Sequence, residues 1–200
     1  MLNVALTGNV AAGKSIVARL FENWGATLID SDVIVRQLQQ PGTDVLGLMV
    51  SAFGPDILQN DGTLDRAALR HRVMKDEAAR QSLNSIVHPA VLARRQDLEA
   101  EARARGDAIL VSDIPLLFEA ADPAVFDVIV LVDAPTATRK ARLVENRGLE
   151  AVEADRLLAA QDPTEAKRER SDYVIDNDGT PAQLELAARA VWQALAARAG

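Results

Sequence analysis

Near the amino terminus, Gly8-Asn9-Val10-Ala11-Ala12-Gly13-Lys14-Ser15 has the spacing G-x-x-x-x-G-K-[ST]. Residues of these types handle phosphate. Glycines let a loop curl until its backbone N–H groups converge on one anion, and the start of a helix adds a favourable dipole. The lysine then reaches the β- and γ-phosphates of a nucleotide, and the hydroxyl ligates Mg²⁺. The context such a loop needs is an apolar strand before it and a helix after it. Residues 2–7 and 14–24 supply both.

Acid and base candidates follow. Asp30 and Asp32 stand at the carboxyl end of a second apolar run, the edge where a doubly wound sheet holds its ligands. A carboxylate there can orient and deprotonate an acceptor hydroxyl as it attacks a γ-phosphate. The competing reading is a helix N-cap, a place that Asp favours. Asp30 fits the cap or a metal-bound water, and Asp32 fits the base. Asp113 ends a third run, where a carboxylate either helps Ser15 hold Mg²⁺ or simply closes a strand. Arg139 and Arg142 are three apart and share a helix face, with Arg147 at its end. Arginines so placed close a lid over a transferring phosphoryl group. The plainer alternative pairs them with Glu145, Glu150 and Glu153 on a solvated face. His71 and His88 have no acidic partner at ligand spacing and make no metal site. His88 precedes Pro89, which predicts extended backbone and a break between two helices, so a structural or substrate contact fits it better than proton transfer.

The elements that position these groups alternate in type. Apolar runs at 2–7, 27–30, 108–111, 128–132 and 173–175 read as strands, with helices at 14–24, 33–39 and 181–198. Strand–helix alternation predicts an α/β fold with a five-stranded parallel sheet covered by helices on both faces. Two helical stretches, 65–105 and 135–170, interrupt the alternation. The chain has 200 residues, no cysteine and a net charge of −7. Cysteine chemistry is thereby excluded, and the acidic balance argues against coating nucleic acid. The charge is uneven: residues 61–106 hold nine bases and seven acids, 136–170 hold eight and seven, and the remainder holds five and fifteen. Neither a targeting segment nor a membrane span is apparent, so a cytoplasmic protein with no membrane partner is expected.

Several further segments carry a resemblance. Ile29-Asp-Ser-Asp32-Val-Ile-Val-Arg36, Asp61-Gly-Thr-Leu-Asp-Arg66 with Leu69-Arg70, Leu83-Asn-Ser-Ile-Val-His88-Pro89, Pro115-Leu-Leu-Phe-Glu119, Gln161 and Asp172-Tyr-Val-Ile-Asp-Asn177-Asp-Gly179 follow the phosphate loop in order. With the loop they resemble the dephospho-coenzyme A kinases along nearly the whole chain. The resemblance implies a P-loop kinase-like fold and a MgATP-dependent phosphorylation of the ribose 3′-hydroxyl of dephospho-coenzyme A, the last step of coenzyme A synthesis. It implies a nucleotide-binding core at 1–59, 107–135 and 171–200, a helical acceptor-binding domain at 60–106 and an arginine-bearing lid at 136–170. The residues expected in catalysis are Asp32, Lys14 and Arg142. ATP is expected on the loop from Gly8 to Ile16 (Gly8, Asn9, Val10, Ala11, Ala12, Gly13, Lys14, Ser15, Ile16) and on Arg139, Arg147 and Asn177. The acceptor is expected at Asp32, Arg70, His88, Pro115, Leu116, Leu117 and Glu119, and Mg²⁺ at Ser15 and Asp113. The implied partners are small molecules and no nucleic acid, with a monomer favoured.

The chain departs from the family pattern in its loop. The family usually reads Gly-Gly-x-Gly-Ser-Gly-Lys-Ser-Thr, whereas here Asn9, Ala11, Ala12 and Ile16 replace two glycines, the serine and the threonine. Ala11 tolerates a positive φ less well than glycine. Asn146-Arg147 also inverts the family's more frequent order. A kinase for another small metabolite is the nearest alternative. A regulatory GTPase would need an Asn-Lys-x-Asp segment, which the chain lacks, and a binding protein with little catalysis is a third reading.

Overall fold

A computed structural model describes every residue except Lys75, Leu116 and Ala121, and every other side chain except those of Glu119 and Ala120. The apolar runs form strands β1 (Leu2–Gly8), β2 (Thr27–Asp30), β3 (Ile109–Asp113), β4 (Val128–Asp133) and β5 (Tyr173–Asp176), in the sheet order β2-β3-β1-β4-β5. Central β1 runs parallel to β3, from Leu2 beside Ile109 to Leu6 beside Asp113, and parallel to β4, from Val4 beside Val128 to Gly8 beside Val132. β5 adds to β4 in parallel, with Asp133 opposite Asp176.

Side chains alternate across a strand, and the sheet uses both faces. Val4, Leu6, Val111, Val128, Val130 and Val132 pack on one face against α1 (Lys14–Asn23) and α10 (Pro181–Ala199) through Val17, Phe21, Leu184 and Leu195. Ala5 and Ile129 point the other way, onto Leu117 of α6 (Leu117–Ala120). Phe21, Trp24 and Trp192 form a ring cluster between α1 and α10, with centroids 5.6–6.3 Å apart. The Arg189 guanidinium lies 3.8 Å over the Trp24 ring.

The chain divides into two compact units, residues 1–29 with 102–200, and residues 30–101. The first holds the sheet and three further helices, α7 (Thr136–Arg147), α8 (Ala151–Ala159) and α9 (Thr164–Glu169). The second holds α2 (Ser31–Leu38), α3 (Asp44–Phe53), α4 (Arg66–Met74) and most of α5 (Glu77–Arg105). Its own core joins Val45, Leu46, Met49 and Phe53 to Ile57, Leu69 and Val87. Among the described residues, no helix is long and apolar enough to cross a membrane.

The break expected at His88-Pro89 is absent, because α5 runs through Pro89 without interruption. Proline removes one helical hydrogen bond, here the one that the Ser85 carbonyl would accept. Ser85 and Pro89 are exposed, so water can satisfy that carbonyl. Val87, Ala90 and Val91, on both sides of the proline, pack into one cluster, and that burial outweighs the loss.

Candidate active site

β1 leads straight into the loop at Gly8, which lies so close to β4 that an added Cβ would stand 2.5 Å from the Val132 carbonyl oxygen. The Ala12 N–H donates to the Asn9 carbonyl at 3.1 Å and closes the turn. Gly13 then takes φ 98° and precedes the first turn of α1. A Cβ at Gly13 would run into the Asn177 side-chain amide. Ala11 has φ 59° and is the one described non-glycine residue with positive φ. A tight loop between a strand end and a helix start is the setting in which phosphate is commonly bound.

Lys14 and Ser15 open α1 beside this loop. Lys14 Nζ donates to Asp113 Oδ1, and Asp113 closes β3 at 7% exposure. A hydroxyl and a carboxylate are hard oxygen donors of the kind Mg²⁺ accepts, and that ion needs only one or two of them from protein. Among the described residues, no three His, Asp or Glu side chains are grouped to cage a metal by themselves. The donor set therefore suits an ion that shares its ligands with phosphate.

Side chains from distant parts of the first unit hold the loop from outside. Arg142 Nη1 donates to the Ala11 and Ala12 carbonyls at 3.2 and 3.4 Å, and its Nη2 donates to the Asn177 carbonyl at 3.1 Å. Asn177, 4% exposed, donates from Nδ2 to the Ala12 carbonyl at 2.8 Å. The Val10 N–H donates to Gln161 Oε1 at 2.8 Å. Asn9 donates from Nδ2 to Thr164 Oγ1 and accepts at Oδ1 from Lys167 Nζ, both at 2.8 Å. Behind them, Arg168 bridges Asp133 and Asp176 at 2.9 and 2.6 Å, tying the ends of β4 and β5. The hydrogen bonds that Arg168 donates to Asp176 and then to Asp133 raise its pKa above the ordinary value, so this guanidinium stays charged.

Arg139 is 5% exposed. It donates to the Ala134 carbonyl at 3.0 Å and to Thr136 and Thr164 hydroxyls at 3.2 and 3.4 Å. Among the described residues, the partners of Arg139 and Arg142 are carbonyls, hydroxyls and the Asn177 amide, and not Glu145, Glu150 or Glu153. Arg139 and Asn9 line a cavity of about 390 Å³ with Thr136, Gln161, Thr164 and Glu165. Arg147 is exposed at the end of α7, and Ile16 is 54% exposed on α1.

Asp30 accepts from the Asp32 and Val33 N–H groups at 2.8 and 3.1 Å and so caps α2. Asp32 is exposed in the first turn of that helix. Arg70 and His88 are exposed on α4 and α5. Neither lines the cavity of about 730 Å³ found along α3 in the second unit. Pro115 is exposed, but Leu117, expected against an acceptor, is fully buried with Ala5 and Ile129. Leu116 and the Glu119 side chain lie outside the described residues.

Sequence reasoning gave no role to Thr164, Lys167 or Arg168. The available signal was Asn9, a side chain where glycine is usual and therefore one that needs partners.

A parallel sheet of this order, with a phosphate-binding loop between β1 and α1, defines an α/β P-loop nucleotide-binding protein of the kinase type. A family model described as dephospho-CoA kinase matches residues 2–183. The chain belongs to the dephospho-CoA kinase family. It is 45% identical over 192 residues to a dephospho-CoA kinase of Mycolicibacterium paratuberculosis, which it matches over 96% of this chain and 47% of that protein. It is 44% identical to a dephospho-CoA kinase of Streptomyces avermitilis over 100% of this chain and 96% of that protein. The crystal structure of TT1252 from Thermus thermophilus superposes with a TM-score of 0.78 at 32% identity, covering 97% of both chains. The chain thus spans about half the length of the mycobacterial relatives it matches.

Proposed function

We propose that the chain is an ATP-dependent kinase that phosphorylates the ribose 3′-hydroxyl of dephospho-coenzyme A. The observation that carries this reading is the curled loop with Lys14 and Asp113 facing one another beside it, in a chain of this family. Lys14 and the loop N–H groups hold the donor phosphates, and positioning of this kind supplies most of the rate in phosphoryl transfer. Mg²⁺, held through Ser15 and Asp113, would neutralise charge on the β- and γ-phosphates. Asp32 takes the proton of the acceptor hydroxyl. The acceptor oxygen forms a bond to the γ-phosphorus, the bond from that phosphorus to the bridging oxygen breaks, and its electron pair leaves with ADP.

The helical domain at 60–106 supplies acceptor contacts in this reading, with Arg70 and His88 among them, and residues 136–170 supply the lid. Arg142 and Asn177 serve the nucleotide through the loop they hold. The proposed setting is the cytoplasm, where ATP is plentiful. Incubation with MgATP and dephospho-coenzyme A, followed by mass analysis, tests the reading. A product heavier by one phosphoryl group at the ribose 3′ position is expected. Unchanged acceptor under conditions where ATP binds would overturn it.

A further inference from the structure

Both loop positions that have lost glycine, 9 and 11, are held by side chains, and so are positions 10 and 12 between and after them. Asn9 is 4% exposed, and both ends of its amide are engaged, Nδ2 with Thr164 and Oδ1 with Lys167. Lys167 is 2% exposed and reaches Asn9 across 158 residues of sequence. Burying an ammonium carries a large desolvation cost, so it persists only where polar partners are fixed around it. One residue along, Val10 gives its N–H to Gln161. The segment 161–167 therefore grips two successive loop residues, while Arg142 and Asn177 grip the next two.

The loop needs such a grip. Ala11 sits at φ 59°, a conformation that costs an alanine about 1–2 kcal/mol relative to its preferred basins. Contacts to Val10, Ala11 and Ala12 from outside the loop oppose the relaxation of that residue. We infer that Lys167 is a positioning residue for nucleotide binding, acting through Asn9 to fix the shape of a loop that has given up its glycines. A glycine at position 9 would offer Lys167 no amide to hold, so the Asn9–Lys167 pair replaces backbone permissiveness with side-chain bracing. The inference rests on the nucleotide-binding reading of the loop.

The test is a double-mutant cycle read by calorimetric titration with MgADP and by steady-state kinetics with MgATP. Asn9→Ala and Lys167→Met are each expected to weaken MgADP binding about tenfold, the scale of one lost hydrogen bond to a charged group. The double variant should be no weaker than Asn9→Ala alone, because that variant already removes the Asn9–Lys167 hydrogen bond together with the one to Thr164. KM for ATP should rise more than kcat falls, and Lys167→Arg should recover most of the affinity. Additive losses, or affinities within twofold of the parent, overturn the inference. If Lys167→Met does not fold, Lys167→Gln takes its place in the cycle, removing the ammonium from Asn9 while keeping a polar side chain in the buried site. Should the parent protein bind no nucleotide, both this inference and the functional reading fall. Normal nucleotide binding without transfer to dephospho-coenzyme A overturns only the acceptor assignment.

Discussion

The ammonium of Lys14, at the head of α1, is hydrogen-bonded to the carboxylate of Asp113, the last residue of β3. The pair joins the proposed phosphate-binding cation to the proposed metal-binding carboxylate. Donor phosphates would compete for the lysine and leave the carboxylate to face the ion. Lys14→Ala is expected to lower turnover by about 10²–10³, the scale of removing one preorganised donor. It should also lower the melting temperature in the absence of nucleotide, since Asp113 at 7% exposure loses its cation. Steady-state assays and thermal melts check the two effects; full turnover would exclude Lys14 from the reaction.

Asp30, and not Asp32, supplies the cap of α2, so Asp32 can change without uncapping the helix. Asp32→Asn should therefore leave the fold and MgADP affinity nearly intact. Turnover should fall by about 10² or more, as expected for loss of a general base. Retained turnover would remove Asp32 from that role.

Ala11→Gly relieves the positive φ at that position. Glycine adds freedom to the unfolded chain, which offsets part of the gain, so stability should rise by only about 0.5–1 kcal/mol. Urea denaturation measures this directly. A loss of stability would mean that the Ala11 methyl packs more favourably than its backbone is strained.

Arg105 donates to Asp107 at 2.7 Å, and the Thr27 hydroxyl donates to the same carboxylate. Arg105 first, and Thr27 second, hold the Asp107 pKa below its ordinary 3.8. A carboxyl whose pKa is lower folded than unfolded stabilises fully above the unfolded value and loses that contribution as pH falls toward the folded one. Stability from Asp107 is thus complete at neutral pH and declines below pH 3.8. Asp107→Asn should weaken the protein at pH 7 and flatten its acid decline. Urea midpoints at neutral and acid pH check this, and parallel curves for parent and variant would refute it.

The strands were legible because β-branched apolar runs have few alternatives to a buried parallel sheet: 27–30 is a strand with those limits, and 128–132 gains one residue. The phosphate loop was legible because its chemistry is local. α3 was missed since Gly47 interrupts an apolar stretch, although the Thr43 hydroxyl accepts from the Leu46 N–H and starts the helix. Continuity of α5 through Pro89 depends on which side of the helix faces water, a tertiary fact. The braces on Asn9 and Val10 come from residues 151–158 positions away, beyond any local pattern. Asn9 was visible as an oddity, but its partners were not.

The ring cluster of Phe21, Trp24 and Trp192 has a consequence for how the protein can be watched. Both tryptophans of the chain lie in it, and the single tyrosine, Tyr173, is on β5 of the same unit. Intrinsic emission therefore reports α1, the helix that begins at the phosphate loop, and is silent on residues 30–101. Far-ultraviolet dichroism sees the helices of both. A heating curve followed by the two signals together would separate the melting of the loop-bearing unit from that of its helical companion, with no label added.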